Sequence, residues 1–464
     1  MNWYEKAQAR SGELVAELQQ LIQIESVLDE ENATDDAPFG KGPKQALDFM
    51  LAKGEAAGMA TKNVDNMAGH IEMGQGEDIL GILCHVDVVP AGDASTWSVP
   101  PFEGRIVDGK IVARGAIDDK GPTMAAWMAM KLVQAEDIKL NKRVRMIIGT
   151  DEESGFRCVN RYFEKEAMPS LGFAPDADFP LINAEKGIAD LAFVQKSKRH
   201  ADEQLVSFKA GRRTNMVPDQ AIATIQHVDD TIVQAFEQFL VAEQVSGTIE
   251  KQDAGYVLIV NGKSAHAMEP HKGKNAAVCL AKFLANQLKA SAGKKFAELM
   301  TTLFDGDHFG QALQFNYEDE MSGPTTLNPG IVSFDENGAF IRVSMRYSVS
   351  YPFDEKITEV QKNLANTDFT LDVRGNSKPH YVPEEDELVS TLLTIYRKHT
   401  GDMSKPLSTG GGTYARVMKK GVAFGMLFPG EPELAHQADE FVDIENLLKA
   451  TAIYAEAIVK LASN

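Results

Sequence analysis

Cysteine is scarce in this chain: Cys84, Cys158 and Cys279 are the full set in 464 residues. An odd, widely spaced trio builds neither a disulfide framework nor a zinc ribbon, and it fits a reducing compartment. Long apolar runs are missing too. Nowhere do about 18 apolar residues follow one another, which excludes a helical membrane span. The opening stretch, MNWYEKAQARSGELVAELQQLIQI, sets Leu14, Leu18, Leu21 and Ile22 at helical intervals with charges between them. That is the pattern of a surface helix, not of a signal peptide. Positive charge is in deficit, with 47 Lys and Arg against 67 Asp and Glu for a formal charge of -20. Such a surface repels phosphate backbones and anionic lipid, so neither nucleic acid nor membrane is an expected partner. Internal repeats and low-complexity segments are also lacking. The expectation is a cytoplasmic protein whose acidity keeps its surface solvated.

What is present is a chain long enough for two or three domains, 44% hydrophobic and 25% charged, as ordinary globular proteins are. Up to about residue 185, strand-like apolar runs alternate with helical patterns, an α/β texture. The runs 78–83 and 144–148 predict buried strands. Between them Pro122 suits the first turn of a helix, with Met124, Trp127, Met128 and Leu132 on one face. From 186 to 380 alternating strands such as 340–349 accompany amphipathic helices such as 275–288, an α+β texture. From 381 to 464 the α/β texture returns: a helix over 385–399, a strand over 422–428 and a last helix over 443–461. The sequence thus predicts an α/β domain from 1–185 and 381–464, interrupted by an α+β insert over 186–380.

Two strand ends and one helix start carry acids or histidine. In ILGILCHVDVVP a buried strand ends at His85 and Asp87. Residues two apart share a face, so the pair can point to the carboxyl edge of the sheet, where ligands of open α/β sheets collect. The pair suits a metal-binding imidazole oriented by a carboxylate; a satisfied histidine with a capping aspartate explains it equally well. In ARGAIDDKGPTMAA, Asp118 and Asp119 precede the Pro122 helix. They either favour the helix dipole or place a two-oxygen carboxylate where it can bridge two cations about 3.5–4 Å apart. In RVRMIIGTDEESG a strand runs into Asp151, Glu152 and Glu153. Such crowding needs a cation or solvent to relieve it, and neighbouring side chains pointing differently allow one glutamate to ligate while the other acts as a base.

Asp176 in GFAPDADFP and His436 in ELAHQADE complete a set. His85, Asp118, Glu153, Asp176 and His436 are oxygen and nitrogen donors without a thiolate, suited to zinc and acceptable to manganese or cobalt. If Asp118 bridges, each of two ions receives one histidine, one further carboxylate and a share of Asp118. A position is then left for water.

The motifs HVDVVP, GAIDDKGP, TDEESG, PDADFP and HQADE, in this order around an insert, resemble the carboxypeptidase G, aminoacylase and carnosinase superfamily of dinuclear metallopeptidases. Within it the chain is most similar to the bacterial dipeptidase V type, the Xaa-His or carnosinase-like dipeptidases. The resemblance implies a zinc-peptidase-like catalytic domain with a mixed central sheet flanked by helices, and an inserted lid. It implies that the five donors hold two divalent ions, that Asp87 orients His85, that Glu152 is the base activating the water, and that the peptide between Asp118 and Asp119 is cis. Ser154 departs from the threonine common at that place, with no expected effect on the chemistry.

For the insert, the resemblance implies that His266 in GKSAHAMEP stabilises the oxyanion and that Asn215 in RRTNMVPD binds substrate. In FIRVSMRYSVSYP, alternation separates Arg346 from the apolar face of Ile341, Val343, Met345 and Tyr347. An exposed strand arginine satisfies that pattern; the resemblance makes Arg346 the anchor for a substrate carboxylate. In STGGGTYARV, the amides of Gly411, Gly412 and Thr413 ahead of a short helix suit an anion, although a plain glycine turn fits as well. The expected activity is hydrolysis of dipeptides with a free N-terminus, by a monomer. Alternatives are an N-acyl-amino-acid deacylase, a desuccinylase or a carboxypeptidase of the same superfamily, and, from another class, a non-catalytic metal or peptide binder.

Overall fold

The computed structural model describes residues 1–253 and 255–463. The chain divides into two compact units, Met1–Asn183 with Tyr381–Leu407 and Gly412–Asn464, and Ala184–His380 with Ser408–Gly411. The glycine run is therefore split: Gly410 and Gly411 belong to the second unit, Gly412 and Thr413 to the first.

The main sheet contains β1 (Ala60–Val64), β2 (Ala68–Gly74), β3 (Ile79–His85), β4 (Arg143–Gly149), β5 (Leu171–Ala174), β6 (Ile182–Glu185) and β7 (Gly421–Ala423). Their order is β1-β2-β4-β3-β5-β7-β6. The central pairs β4–β3, β3–β5 and β5–β7 are parallel, while β1–β2, β2–β4 and β7–β6 are antiparallel, so the sheet is mixed. Every residue of β3 is buried, as a strand covered on both faces must be. Its side chains alternate between two cores: Ile82 and Cys84 join Met146, Ile148, Trp127 and Tyr454 on one face, and Leu83 joins Ile147, Tyr162 and Tyr414 on the other. Gly149 is required at the end of β4, because a Cβ there would lie 2.1 Å from the Tyr414 hydroxyl.

Several expectations change. The N-terminal segment forms two helices, Trp3–Ala9 and Ser11–Ile22, and Leu14, Leu18, Leu21 and Ile22 are fully buried. The helix Lys120–Ala135 is buried almost all round, because the helices Ser11–Ile22 and Ile444–Ala462 pack against it on the sides the sheet leaves open. The 422–428 run is not one strand. Gly425 adopts φ 81°, where a Cβ would also strike the Phe179 ring at 2.4 Å, and it separates Gly421–Ala423 from Met426–Leu427. The last helix begins where Asp443 accepts hydrogen bonds from the amides of Glu445 and Asn446, an N-cap.

The second unit holds an eight-stranded sheet in the order Ser246–Gln252, Gly255–Asn261, Gln220–Gln226, Leu205–Ala210, Thr326–Asp335, Gly338–Tyr347, Gly187–Gln195, Phe369–Ser377. All neighbours are antiparallel. Helices including Ala276–Gln287 and Ala292–Phe304 supply Leu280, Phe283 and Phe296 to its core. Among the described residues no helix is long and apolar enough to cross a membrane.

Candidate metal centre

The parallel strands deliver the site. β3 and β4 run side by side with His85 opposite Gly149, so their carboxyl ends release His85 and the Asp151–Glu153 turn at one place. β5 ends at Ala174, two residues before Asp176. The helix Lys120–Ala135 starts immediately after the Asp118–Asp119 peptide, which is cis.

Two groups of donors converge: His85, Asp118 and Asp176, and Asp118, Glu153 and His436, with the donor atoms of each group within 4.8 Å of one another. His85 Nε2 lies 3.1 Å from Asp118 Oδ1 and 3.4 Å from Asp176 Oδ2. His436 Nε2 lies 3.0 Å from Asp118 Oδ2 and 3.0 Å from Glu153 Oε2. Each oxygen of Asp118 thus faces a different imidazole. His85 Nε2 is buried with no hydrogen-bond partner of good geometry among the described residues, although two carboxylates flank it. A buried ring nitrogen and convergent carboxylates fit a divalent cation, which needs donors and not hydrogen bonds.

The electrostatics agree. Burial pulls the pKa of His85 down, but Asp118, Asp176 and Asp87 together hold it well above the ordinary value. Contacts with Asp118 and Glu153 raise His436 to about 11. Burial and then the Asp118 charge push Glu153 up to about 7, and burial raises Asp176 and Glu152 as well. Burial raises Asp118 too, yet His436 and His85 hold it below the carboxylate range. Four crowded carboxylates demand positive charge, which either two imidazolium rings or two divalent ions can provide.

The surrounding groups hold this arrangement. His85 Nδ1 lies 3.0 Å from the backbone carbonyl of Asp87 and 3.5 Å from its carboxylate. The nearer contact on the ring is thus a carbonyl, while Asp87 Oδ2 accepts from the Glu153 amide at 3.1 Å. Asp119 stays out of the donor groups; its Oδ2 accepts from the His85 amide at 3.0 Å and from Thr123 Oγ1 at 3.0 Å. Asp151 organises the turn instead of facing the site. Its carboxylate accepts from the Arg157 amide, from Arg157 Nε and Nη2, and from the Ser154 hydroxyl. Glu152 is left beside Glu153 and within reach of the charges of His85, Asp176 and Asp118.

In the second unit, Arg346 is buried, so it is no exposed strand arginine; its Nη1 donates to the Gly410 carbonyl at 3.0 Å. Asn215 and His266 sit on facing segments, with the Ala267 amide donating to the Asn215 carbonyl at 2.8 Å and Met216 bridging His266. The glycine run leads into a short 3-10 helix. Tyr414–Val417 is a four-residue 3-10 turn with little dipole, Thr413 caps it through the Ala415 amide, and the Gly411 amide is taken by Thr409 Oγ1. Residues that the sequence reading did not assign a role are Asp151 and, at the end of the quoted HQADE motif, Glu440. The signal for Glu440 was its place in that motif.

The family described as "Peptidase family M20/M25/M40" matches residues 81–460. The chain is 46% identical to "Putative dipeptidase YtjP" of Bacillus subtilis (strain 168), over 100% of both proteins. Its fold is similar to that of human carnosine dipeptidase 1 (TM-score 0.59, 13% identity, 100% of this chain and 98% of that one). It is also similar to Bacillus subtilis YXEP protein, titled a dinuclear metal binding peptidase from the M20 family (TM-score 0.50, 10% identity, 98% and 99%).

Proposed function

The chain belongs to the peptidase family M20/M25/M40, and from that premise we propose that it hydrolyses dipeptides with a free N-terminus at a centre for two divalent ions, most suitably zinc. The observation that carries this reading is Asp118, with one carboxylate oxygen 3.1 Å from His85 Nε2 and the other 3.0 Å from His436 Nε2. His85 and Asp176 would hold one ion, Glu153 and His436 the other, and Asp118 both. Bound there, such ions supply Lewis acidity to a carbonyl oxygen and make water easier to deprotonate.

The protein's own groups do the rest. Glu152, raised in pKa by burial and by the neighbouring acids, takes a proton from the attacking water and delivers it to the leaving amine, the two halves of general acid–base catalysis. Asp87 holds the Glu153 amide and the His85 ring, fixing two donors at once. The second unit is proposed as the lid. Arg346 pairs with the substrate's terminal carboxylate, where a planar guanidinium suits two parallel hydrogen bonds. His266 supports the developing oxyanion, and Asn215 and the 411–413 backbone line the substrate's path. The dipeptide preference follows the full-length similarity to a relative bearing that name.

Metal analysis combined with a panel of Ala-His, Leu-Gly and their N-acetylated and N-succinylated forms tests this directly. Hydrolysis of the free dipeptides by protein carrying two ions is expected. Preference for the acylated compounds would move the assignment to a deacylase, and metal binding without turnover would make the chain a binder. Glu152→Gln should abolish turnover while both ions stay bound.

A further inference from the structure

Glu440 is a carboxylate with no exposed surface, outside the two donor groups of the centre. Burying such a charge is costly unless it is paired and fully hydrogen-bonded. Its Oε2 meets Arg114 Nη1 in an ion pair, and Arg114, only 2% exposed, lies over the Trp97 ring at 5.2 Å. Its Oε1 accepts from the Ile117 amide at 3.0 Å and the Asp118 amide at 3.3 Å. Its backbone carbonyl accepts from the Ala113 amide at 2.9 Å. A residue four places after His436 therefore grips the peptide that carries Asp118.

The loop it closes needs holding. His436 and Asp439 adopt φ 66° and 58°, the left-handed region that non-glycine residues rarely occupy. Asp439 Oδ1 accepts from the Ser98 amide at 2.7 Å and from Ser98 Oγ at 2.8 Å, a second tie on the same loop, to a different stretch of chain. By contrast, His85 and Asp176 follow directly from β3 and β5 and have the sheet behind them.

We infer that Glu440, with Arg114, is a positioning residue that sets Asp118 against His436 and so governs the Asp118–Glu153–His436 ion selectively. This rests on the two-ion reading above. Partners that orient metal ligands commonly contribute about 10–100-fold in affinity, and here the loss should fall on one ion of the pair. Glu440→Gln keeps an oxygen for the two amides and loses the charge facing Arg114; Glu440→Ala loses both.

The test titrates chelator-stripped protein with Zn²⁺ against a chromophoric competitor, alongside thermal melts of the stripped forms. Wild type should take up two ions. In Glu440→Gln one of the two steps should weaken by about 10-fold and in Glu440→Ala the same step by about 100-fold, with the other changed less than about threefold. Should the alanine variant fail to fold, the glutamine variant carries the test. Equal weakening of both steps in proportion to lost melting temperature would make the pair mere structural glue and overturn the inference, as would unchanged affinities. Wild type that binds fewer than two ions would instead remove the two-ion reading itself.

Discussion

The two histidines of the centre are held in opposite ways. The His85 side chain is 1% exposed at the end of an entirely buried strand, whereas that of His436 is 53% exposed on a loop. The first is placed by the same packing that folds the first unit. The second is placed by a few hydrogen bonds and by its carboxylate neighbours. One half of the centre is thus a by-product of the core, and the other is assembled on it. A rigid half fixes the geometry, and a lightly held half can adjust as an ion or substrate arrives.

The largest effect should come from the residue that belongs to both halves. Asp118→Asn removes charge from each donor group, so activity should fall by about 10³-fold or more and both ions should be lost on dialysis. Retention of two ions with near-normal turnover would show that the halves do not share a ligand. The comparison itself is tested by His85→Ala against His436→Ala. The first deletes a buried ring and should destabilise the stripped protein by about 1–3 kcal/mol besides losing its ion; the second should change stability by less than about 0.5 kcal/mol. Both should be nearly inactive. Equal losses of stability in urea melts would erase the distinction drawn here.

Much of this was legible in the residues, and unevenly so. Strands β3 and β4 were visible because two-sided burial writes a largely apolar run, broken in β4 only by Arg145, and the acids at their ends stood out against it. The place of Asp151 was less visible. The sequence assigned Glu152 and Glu153 separate roles but gave Asp151 none; Arg157 and Ser154, close in sequence and reachable only once the turn forms, take Asp151 out of the site. The 422–428 run misled because hydrophobicity alone does not report the left-handed Gly425 that breaks it. The short helix expected after the glycine run is there as a 3-10 helix capped by Thr413, but the tie of the Gly411 amide to Thr409 Oγ1 was not legible. Local pattern reports burial and periodicity well, and side-chain to backbone bonds poorly.

A third histidine sharpens the comparison, because it is buried like His85 and shifted the other way. His70, on β2, is held by the Tyr162 hydroxyl at 2.7 Å, and its pKa is pushed down to about 4, first by burial and then by Arg145. Lys62 adds to the depression, and Glu72 and Glu166 oppose it without reversing it. Burial depresses both rings, and only at His85 do the neighbouring carboxylates outweigh it. The folded value lies below the unfolded one, so as the pH falls the unfolded chain takes up this proton first. Stability from His70 is intact above pH about 6.5 and is lost between there and pH about 4, by roughly 3 kcal/mol at most. Urea melts of stripped protein at pH 7 and pH 5 should show a steeper loss for wild type than for His70→Asn. Parallel losses would mean that His70 titrates normally.

The smallest effect is expected at Ser154, beside the centre yet outside both halves. Its hydroxyl donates to Asp151, whose carboxylate also receives three bonds from Arg157. Ser154→Thr keeps the hydroxyl and adds a methyl at an exposed position, so kcat/KM should change less than about twofold and stability by less than about 0.5 kcal/mol. Ser154→Ala should do little more, because Asp151 retains its guanidinium partner and the turn keeps its shape. A tenfold fall in kcat for the threonine variant, with both ions bound, would mean that the turn transmits small changes to Glu152. The acids of this motif would then act as one unit, and the division of labour between Asp151, Glu152 and Glu153 would have to be given up.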